Sequence, residues 1–401
     1  MQVQALIALL LPLAAASGWY TARKHYQKKF LEEHVHPLTQ AYRRGLNYLL
    51  DDKTDKAIAA VGQILEQDDE SLEVQIAFGN LFRRRGDVER AIEIHTRLRA
   101  TVGLTESQRA RADFELALDY LRAGLYDRSE SLLLSLVETK THGKPALQQL
   151  MLIYQQQKEW QKAIDCIIPL RRVMKPKHGE TAAHFFCELA EEAMSYHRLK
   201  DSRDYLAQAL KDDPNSVRAT IAKGRLELGN GEYRQAYESF QSLESQNPIF
   251  LSVVLPHIRL CSERLGQERE LMDYLDYLYQ SYGLVSAAVE CAIRLRQRDG
   301  IAAAIDYLIP ILEKTPDSLA ISHALSMLSE DHHHGSQKMR RLSALLKEIM
   351  EGGQQFCCDH CGFGSSQIYW RCPSCQYWGS VRPTGPFSAL DVQEIESNKS
   401  H

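Results

Sequence analysis

The sequence has no excess of either charge: 52 acidic side chains stand against 48 basic ones, a net charge of −4. A chain built to hold nucleic acid normally carries a basic surplus that neutralises phosphates, so no nucleic-acid partner is expected. Glycine (22) and proline (13) are sparse in 401 residues, which excludes collagen-like and low-complexity chains. Nine cysteines in a chain of this length do not make a disulfide miniprotein. Neither a Walker-type phosphate loop nor a nucleophile–base arrangement stands out, so the chain is not expected to be an enzyme. With 44% hydrophobic and 25% charged residues, what remains is an ordered protein with core to bury.

Charge is also missing locally. No charged side chain occurs from Met1 to Ala22, and Val3–Tyr20 is mostly apolar. As a helix rising about 1.5 Å per residue, this stretch approaches the ~30 Å hydrocarbon core of a bilayer. Trp19 and Tyr20 fall where an interfacial aromatic belt would lie, and Arg23, Lys24, Lys28 and Lys29 follow at once. A cleaved secretory signal needs its basic residues before the apolar run, and here they come after it. The positive-inside rule then keeps the remaining chain cytoplasmic. Residues 1–22 read as a single transmembrane anchor, in the inner membrane if the source is bacterial, and residues 23–36 as a basic juxtamembrane linker.

The middle of the chain repeats. Gly45, Tyr48 and Ala57 recur 34 residues later as Gly79, Phe82 and Ala91, with Arg85-Gly86-Asp87 as the turn between two helices. The pattern returns at Ala117–Tyr120–Ser129 and Met151–Tyr154–Ala163, weakens at Ala190–Ala193–Ser202, and is clear again at Gly224, Ala236, Phe240 and Pro248. Degenerate copies follow around Arg259–Leu271 and Ala292–Ala304. First positions differ by 34, 38, 34, 39, 34, 35 and 33 residues, so two steps carry insertions that lengthen a loop or helix. Small residues let the paired helices approach, and aromatic or aliphatic ones fill the space against the next hairpin. This is the tetratricopeptide spacing, predicting a mainly α solenoid over residues 37–350. Such a solenoid is a scaffold that grips a partner segment. Tyr274–Tyr282 reads as helix packing, Arg83-Arg84-Arg85 as the solvated end of a first helix, and His332-His333-His334 as a loop. Cys166, Cys187, Cys261 and Cys291 sit at helical positions, as buried reduced thiols would in cytoplasm.

After Gly352-Gly353 the periodicity stops. Cys358-Asp359-His360-Cys361-Gly362 is separated by ten residues from Cys372-Pro373-Ser374-Cys375. Two Cys-x-x-Cys knuckles can aim four thiolates at one tetrahedral metal, and so short a segment needs that metal to fold. The predicted ligands are Cys358, Cys361, Cys372 and Cys375, for iron or zinc, which spacing does not distinguish. Using Cys357 would break the symmetric knuckle, and it is left without a role. His360 is expected to face solvent. The module covers residues 354–383, and a polar tail covers 384–401.

Anchor, repeats and module in this order resemble the lipopolysaccharide assembly protein B family. The likeness is strongest at Gly18-Trp19-Tyr20, at Tyr42–Tyr48, and at Ile368-Tyr369-Trp370-Arg371-Cys372-Pro373-Ser374-Cys375-Gln376-Tyr377-Trp378. It implies a rubredoxin-like metal centre on the same four cysteines. It also implies a protease adaptor that restrains lipopolysaccharide synthesis. The implied partners are a membrane AAA+ zinc protease, the lipid A pathway deacetylase that it degrades, and an inner-membrane protein that senses lipopolysaccharide. Two other functions fit the same features: an electron-transfer protein with a rubredoxin-type iron centre, and an envelope-assembly scaffold with no role in proteolysis.

Overall fold

The structure, a computed structural model, describes Lys56 and residues 72–171, 177–314, 317–330 and 355–384. The expected anchor and basic linker, Gly45, Tyr48 and Ala57 of the first repeat, His332–His334 and the tail after Thr384 lie outside the described residues. Among the described residues, no helix is long and apolar enough to cross a membrane. The chain divides into two compact units, at Glu159 and Trp160.

The first unit holds α1 (Leu72–Arg85), α2 (Val88–Arg99), α3 (Glu106–Arg122), α4 (Tyr126–Leu136) and α5 (Gly143–Gln157). Gly86, at φ +92°, makes the turn between α1 and α2 that the Arg-Gly-Asp signal predicts. Ala91, Ala117 and Ser129 are fully buried, as small residues at helix crossings should be. A Thr105 capping box, closed by Gln108, starts α3. The insertion before it is taken up partly by this helix, which runs 17 residues.

The arginine run departs from its expected solvated role. Arg83 turns inward, its guanidinium 2.8 Å from Asp119 Oδ1 and 2.7 Å from Glu115 Oε2. Asp119 is fully buried, and its other oxygen lies 2.5 Å from Nδ1 of the equally buried His95. His95 stands 16 residues after Gly79, where Phe240 stands after Gly224, so an imidazole fills the slot of a phenyl ring. A ring with a polar edge needs a buried partner, and α3 supplies it. Arg84 and Arg85 are exposed.

The second unit begins with α6 (Trp160–Arg171), α7 (Lys177–Ser195), α8 (Leu199–Asp212), α9 (Val217–Gly229) and α10 (Tyr233–Gln241). A short α11 (Leu243–Gln246) and a 3₁₀ turn (Pro248–Phe250) lead into α12 (Leu251–Leu265) and α13 (Glu268–Tyr282). Then come α14 (Val285–Asp299), α15 (Ile301–Lys314) and α16 (Ser318–Glu330). The second insertion accompanies a longer first helix, the 19-residue α7. Although its signal is weak in sequence, Ala190, Ala193 and Ser202 are all fully buried. At Gly224 an added Cβ would stand 2.5 Å from the Phe240 ring, so only glycine lets α9 and α10 close. Of the degenerate copies, the second keeps its small residues, Ala292 and Ala304, fully buried, while in the first charge replaces close packing. Arg259 occupies the small position and reaches toward Glu290, while the buried Arg294 pairs with Glu263 at 2.7 Å and Glu268 at 3.1 Å. The tyrosine stretch also departs from simple packing. Tyr277 and Tyr282 are 45% and 39% exposed and donate their hydroxyls to Glu244 on α11.

The C-terminal module belongs to this unit. Its three strands, β1 (Phe356–Cys358), β2 (Gly364–Ser365) and β3 (Val381–Pro383), pair antiparallel in the order β2-β1-β3. Two tryptophans fasten it to the repeats. Trp370 stacks on Phe250, centroids 6.0 Å apart. Trp378 stacks on His184 at 4.9 Å and meets Phe185 at 5.9 Å and Trp160 at 6.4 Å edge-on. The guanidinium of Arg218 lies 5.7 Å from the Trp378 ring centre. Arg218 is nearly inaccessible, held by Glu188 at 2.9 Å and Glu191 at 3.0 Å on α7. Val253 on α12 packs into the module's own core beside Ile368. His184, Arg218 and Val253 are spaced by 34 and 35 residues, the steps that separate Ala190, Gly224 and Arg259. The module therefore lies along one stripe of equivalent positions on α7, α9 and α12.

Two predictions arise from this packing. Gly224→Ala should cost about 1–3 kcal/mol in urea denaturation, since Phe240 must leave its rotamer or the helices must part; an unchanged midpoint would show that the close approach is dispensable. Burial and the nearby Arg218 hold the His184 imidazole down at about 3, and burial with Arg225 holds His257 at about 4. Both are depressed relative to the unfolded chain, so the unfolded state binds protons that the native state refuses. Their contribution is complete above about pH 6.5 and is lost as pH falls toward 4, at about 1.4 kcal/mol per pH unit for each group. Denaturation followed between pH 7 and 4.5 should show this slope, and His184→Phe should halve it.

Candidate metal centre

The strands bring the four predicted cysteines together. Sγ atoms of Cys358, Cys361, Cys372 and Cys375 all lie within 4.8 Å of one another. The closest approaches cross between knuckles: Cys358 to Cys375 and Cys361 to Cys372, each 3.6 Å. Cys358 and Cys372 are buried, Cys375 is partly covered and Cys361 is exposed.

The two knuckles are built alike, fourteen residues apart (372 − 358). In the first, the Gly362 N–H donates to the Cys358 carbonyl at 2.8 Å, and the Cys358 N–H donates to the Phe363 carbonyl at 2.8 Å. In the second, Gln376 N–H donates to Cys372 and Cys372 N–H to Tyr377, each at 2.9 Å. Each turn needs a left-handed residue after its second cysteine. Gly362 supplies φ +74° without strain, whereas Gln376 is held at φ +63° against the ordinary preference of a side-chain-bearing residue. Its amide nitrogen donates to the Pro373 carbonyl at 2.6 Å, which ties the side chain back over its own turn.

Strand alternation settles Cys357. Phe356 and Cys358 face the module's interior, so the residue between them points to the other side of β1. His360 is exposed as expected, and its ring stacks on Tyr377 at 3.9 Å.

The electrostatics suit a cation. Burial raises the Cys358 thiol, but contact with the Ser380 hydroxyl and the backbone N–H groups of Cys361 and His360 outweighs it and brings the group down to about 6. The Phe363 backbone lowers Cys361. Burial and the three neighbouring thiols push Cys375 up to about 12. Four sulfurs this close cannot all ionise against mutual repulsion unless a positive ion sits among them. The donor set is all-sulfur and matches the tetrahedral thiolate sites of zinc and iron. The buried thiols of the solenoid differ: burial raises Cys187 to about 12 and both Cys261 and Cys291 to about 11, leaving them poor nucleophiles and poor ligands.

Sequence reasoning located the four sulfurs but not the groups around them. Ser380 and the enclosure of Trp378 by His184 and Arg218 follow from pairings between segments far apart in the chain. The one trace they leave is the shared register of positions 184, 218 and 253.

The family described as Rubredoxin metal binding domain, a zinc ribbon, matches residues 356–383. Lipopolysaccharide assembly protein B of Escherichia coli (strain K12) is 35% identical over 381 residues, covering 94% of this chain and 97% of that protein. Its namesake from Haemophilus influenzae is 30% identical over 388 residues, covering 94% of this chain and 98% of that protein. Among solved structures, a tetratricopeptide repeat protein from Parabacteroides merdae is 13% identical, covering 78% of this chain and 99% of that one, with a TM-score of 0.29. With relatives this similar along nearly their whole length, the chain belongs to the lipopolysaccharide assembly protein B family.

Proposed function

We propose that the chain is a non-enzymatic adaptor in lipopolysaccharide assembly, tethered to the cytoplasmic face of the bacterial inner membrane by Met1–Ala22. The observation that carries this reading is its 35% identity to a lipopolysaccharide assembly protein over 97% of that protein's length. In this role the repeats hold clients and the metal-stapled ribbon fixes one stretch of the repeat surface. The partners are a membrane AAA+ zinc protease, the lipid A pathway deacetylase as client, and an inner-membrane protein that reports lipopolysaccharide abundance. Confining the adaptor to the membrane raises its effective concentration near a membrane protease, so weak contacts suffice. Cys358, Cys361, Cys372 and Cys375 hold one iron or zinc ion, whose bonds to sulfur supply folding energy that the small ribbon core lacks.

Depleting the protein should lengthen the half-life of the deacetylase and raise lipopolysaccharide. Pulse-chase measurement of the deacetylase checks this, and an unchanged half-life would remove the proteolytic role. Separately, Cys372→Ser should abolish stoichiometric metal in elemental analysis and lower the ribbon's stability, while Cys357→Ser should leave metal content unchanged.

A further inference from the structure

We propose that Cys361 and Cys372 form a peroxide-sensitive catch that releases the ribbon from the repeats. The proposal rests on the metal assignment above and adds a regulation to it.

Three observations converge on this pair. Cys361 is the exposed member of the four, and its Sγ lies 3.6 Å from that of the buried Cys372. An accessible sulfur poised beside a resolving sulfur is the arrangement that responds to oxidants. The solenoid thiols of the unit, Cys166, Cys187, Cys261 and Cys291, are all buried, and within the ribbon Cys358 is buried while Cys357 and Cys375 are partly covered, so Cys361 is the most accessible sulfur. Finally, Cys372 sits on the loop that carries both fastenings. Trp370 precedes it by two residues and Trp378 follows Cys375 by three, with Arg371 bridged to Trp378 across the loop.

The chemistry is self-contained once a hydroperoxide is supplied. The Cys361 sulfur attacks one peroxide oxygen, the O–O bond breaks, and the departing oxygen takes a proton and leaves as water or alcohol. The Cys372 sulfur then attacks the sulfenic sulfur of Cys361, and the S–O bond breaks with loss of a second oxygen as water. Two thiolates give up two electrons in all, the peroxide accepts both, and two protons are consumed. A disulfide no longer offers two thiolates, so only Cys358 and Cys375 remain to hold the ion. The buried core of the ribbon is Phe356, Cys358, Cys372 and Val381, half of it cysteine, and it cannot keep its shape without that ion. Trp378 then leaves His184 and Arg218, and the stripe of α7, α9 and α12 that the ribbon covers becomes exposed.

The test uses the purified full-length protein, with metal content measured first. Hydrogen peroxide is then added, and metal release, disulfide mapping and hydrogen exchange are read together. The expected result is loss of the bound metal, a Cys361–Cys372 disulfide, and loss of protection both at 356–384 and in α7 around His184. Dithiol and metal should restore all three. Trp378→Ala should lose the α7 protection without peroxide while keeping its metal, and Cys357→Ser should respond as the parent does. Metal retained under peroxide, metal lost with α7 still protected, or a disulfide that requires Cys357 would each overturn the catch. Protein that carries no metal before treatment would overturn the metal assignment and the catch together; metal-loaded protein that ignores peroxide would overturn the catch alone.

Discussion

The enclosure of one indole ring organises the second unit. Trp378 is covered by an imidazole, a phenyl ring, a second indole and a guanidinium, and each comes from a repeat helix. The guanidinium is the costly part, because burying Arg218 is unfavourable unless its charge is met. Glu188 and Glu191 meet it from the neighbouring first helix, so the group that faces the ribbon also ties α9 to α7. His184 pays for the same burial in its basicity. An imidazolium beside Arg218 would be a second unmatched cation, and the neutral ring stacks instead. Gly379 completes the fit: a Cβ there would come 3.3 Å from the His184 ring, so bare backbone passes over the imidazole.

The metal centre and the enclosure are parts of one construction. The residues that fold back around the sulfurs also present Trp370 and Trp378 to the repeats. Geometry at the sulfurs therefore fixes the position of the tryptophans, and the residue before each, Tyr369 and Tyr377, is exposed.

Legibility followed locality. The four sulfurs could be read from the chain because knuckle chemistry is written within five residues, and the repeats because small residues recur at helix crossings. Cys357 was set aside on spacing, and strand alternation turns it to the other side of β1 from Cys358. What escaped was non-local or substituted. Arg83 looked like the solvated end of a helix, and nothing nearby reveals that Asp119, on another hairpin, calls it inward. His95 occupies an aromatic slot, and its identity hid a repeat position that its burial makes plain. Tyr277 and Tyr282 looked like core residues, but Glu244 draws their hydroxyls to the surface. At Gln376 a left-handed turn was invisible, because the residue type that usually announces it is absent.

A repeat array ordinarily unfolds as a chain of neighbours, each hairpin stabilised only by the one before and after it. The ribbon breaks that rule between α7 and α12. By touching equivalent positions on α7, α9 and α12, it links hairpins that are not adjacent, so this stretch must melt as a block rather than fray from one end. Its pitch is also fixed, like a spring with a rod laid along it. A force or a ligand that would twist these repeats has to break the rod first.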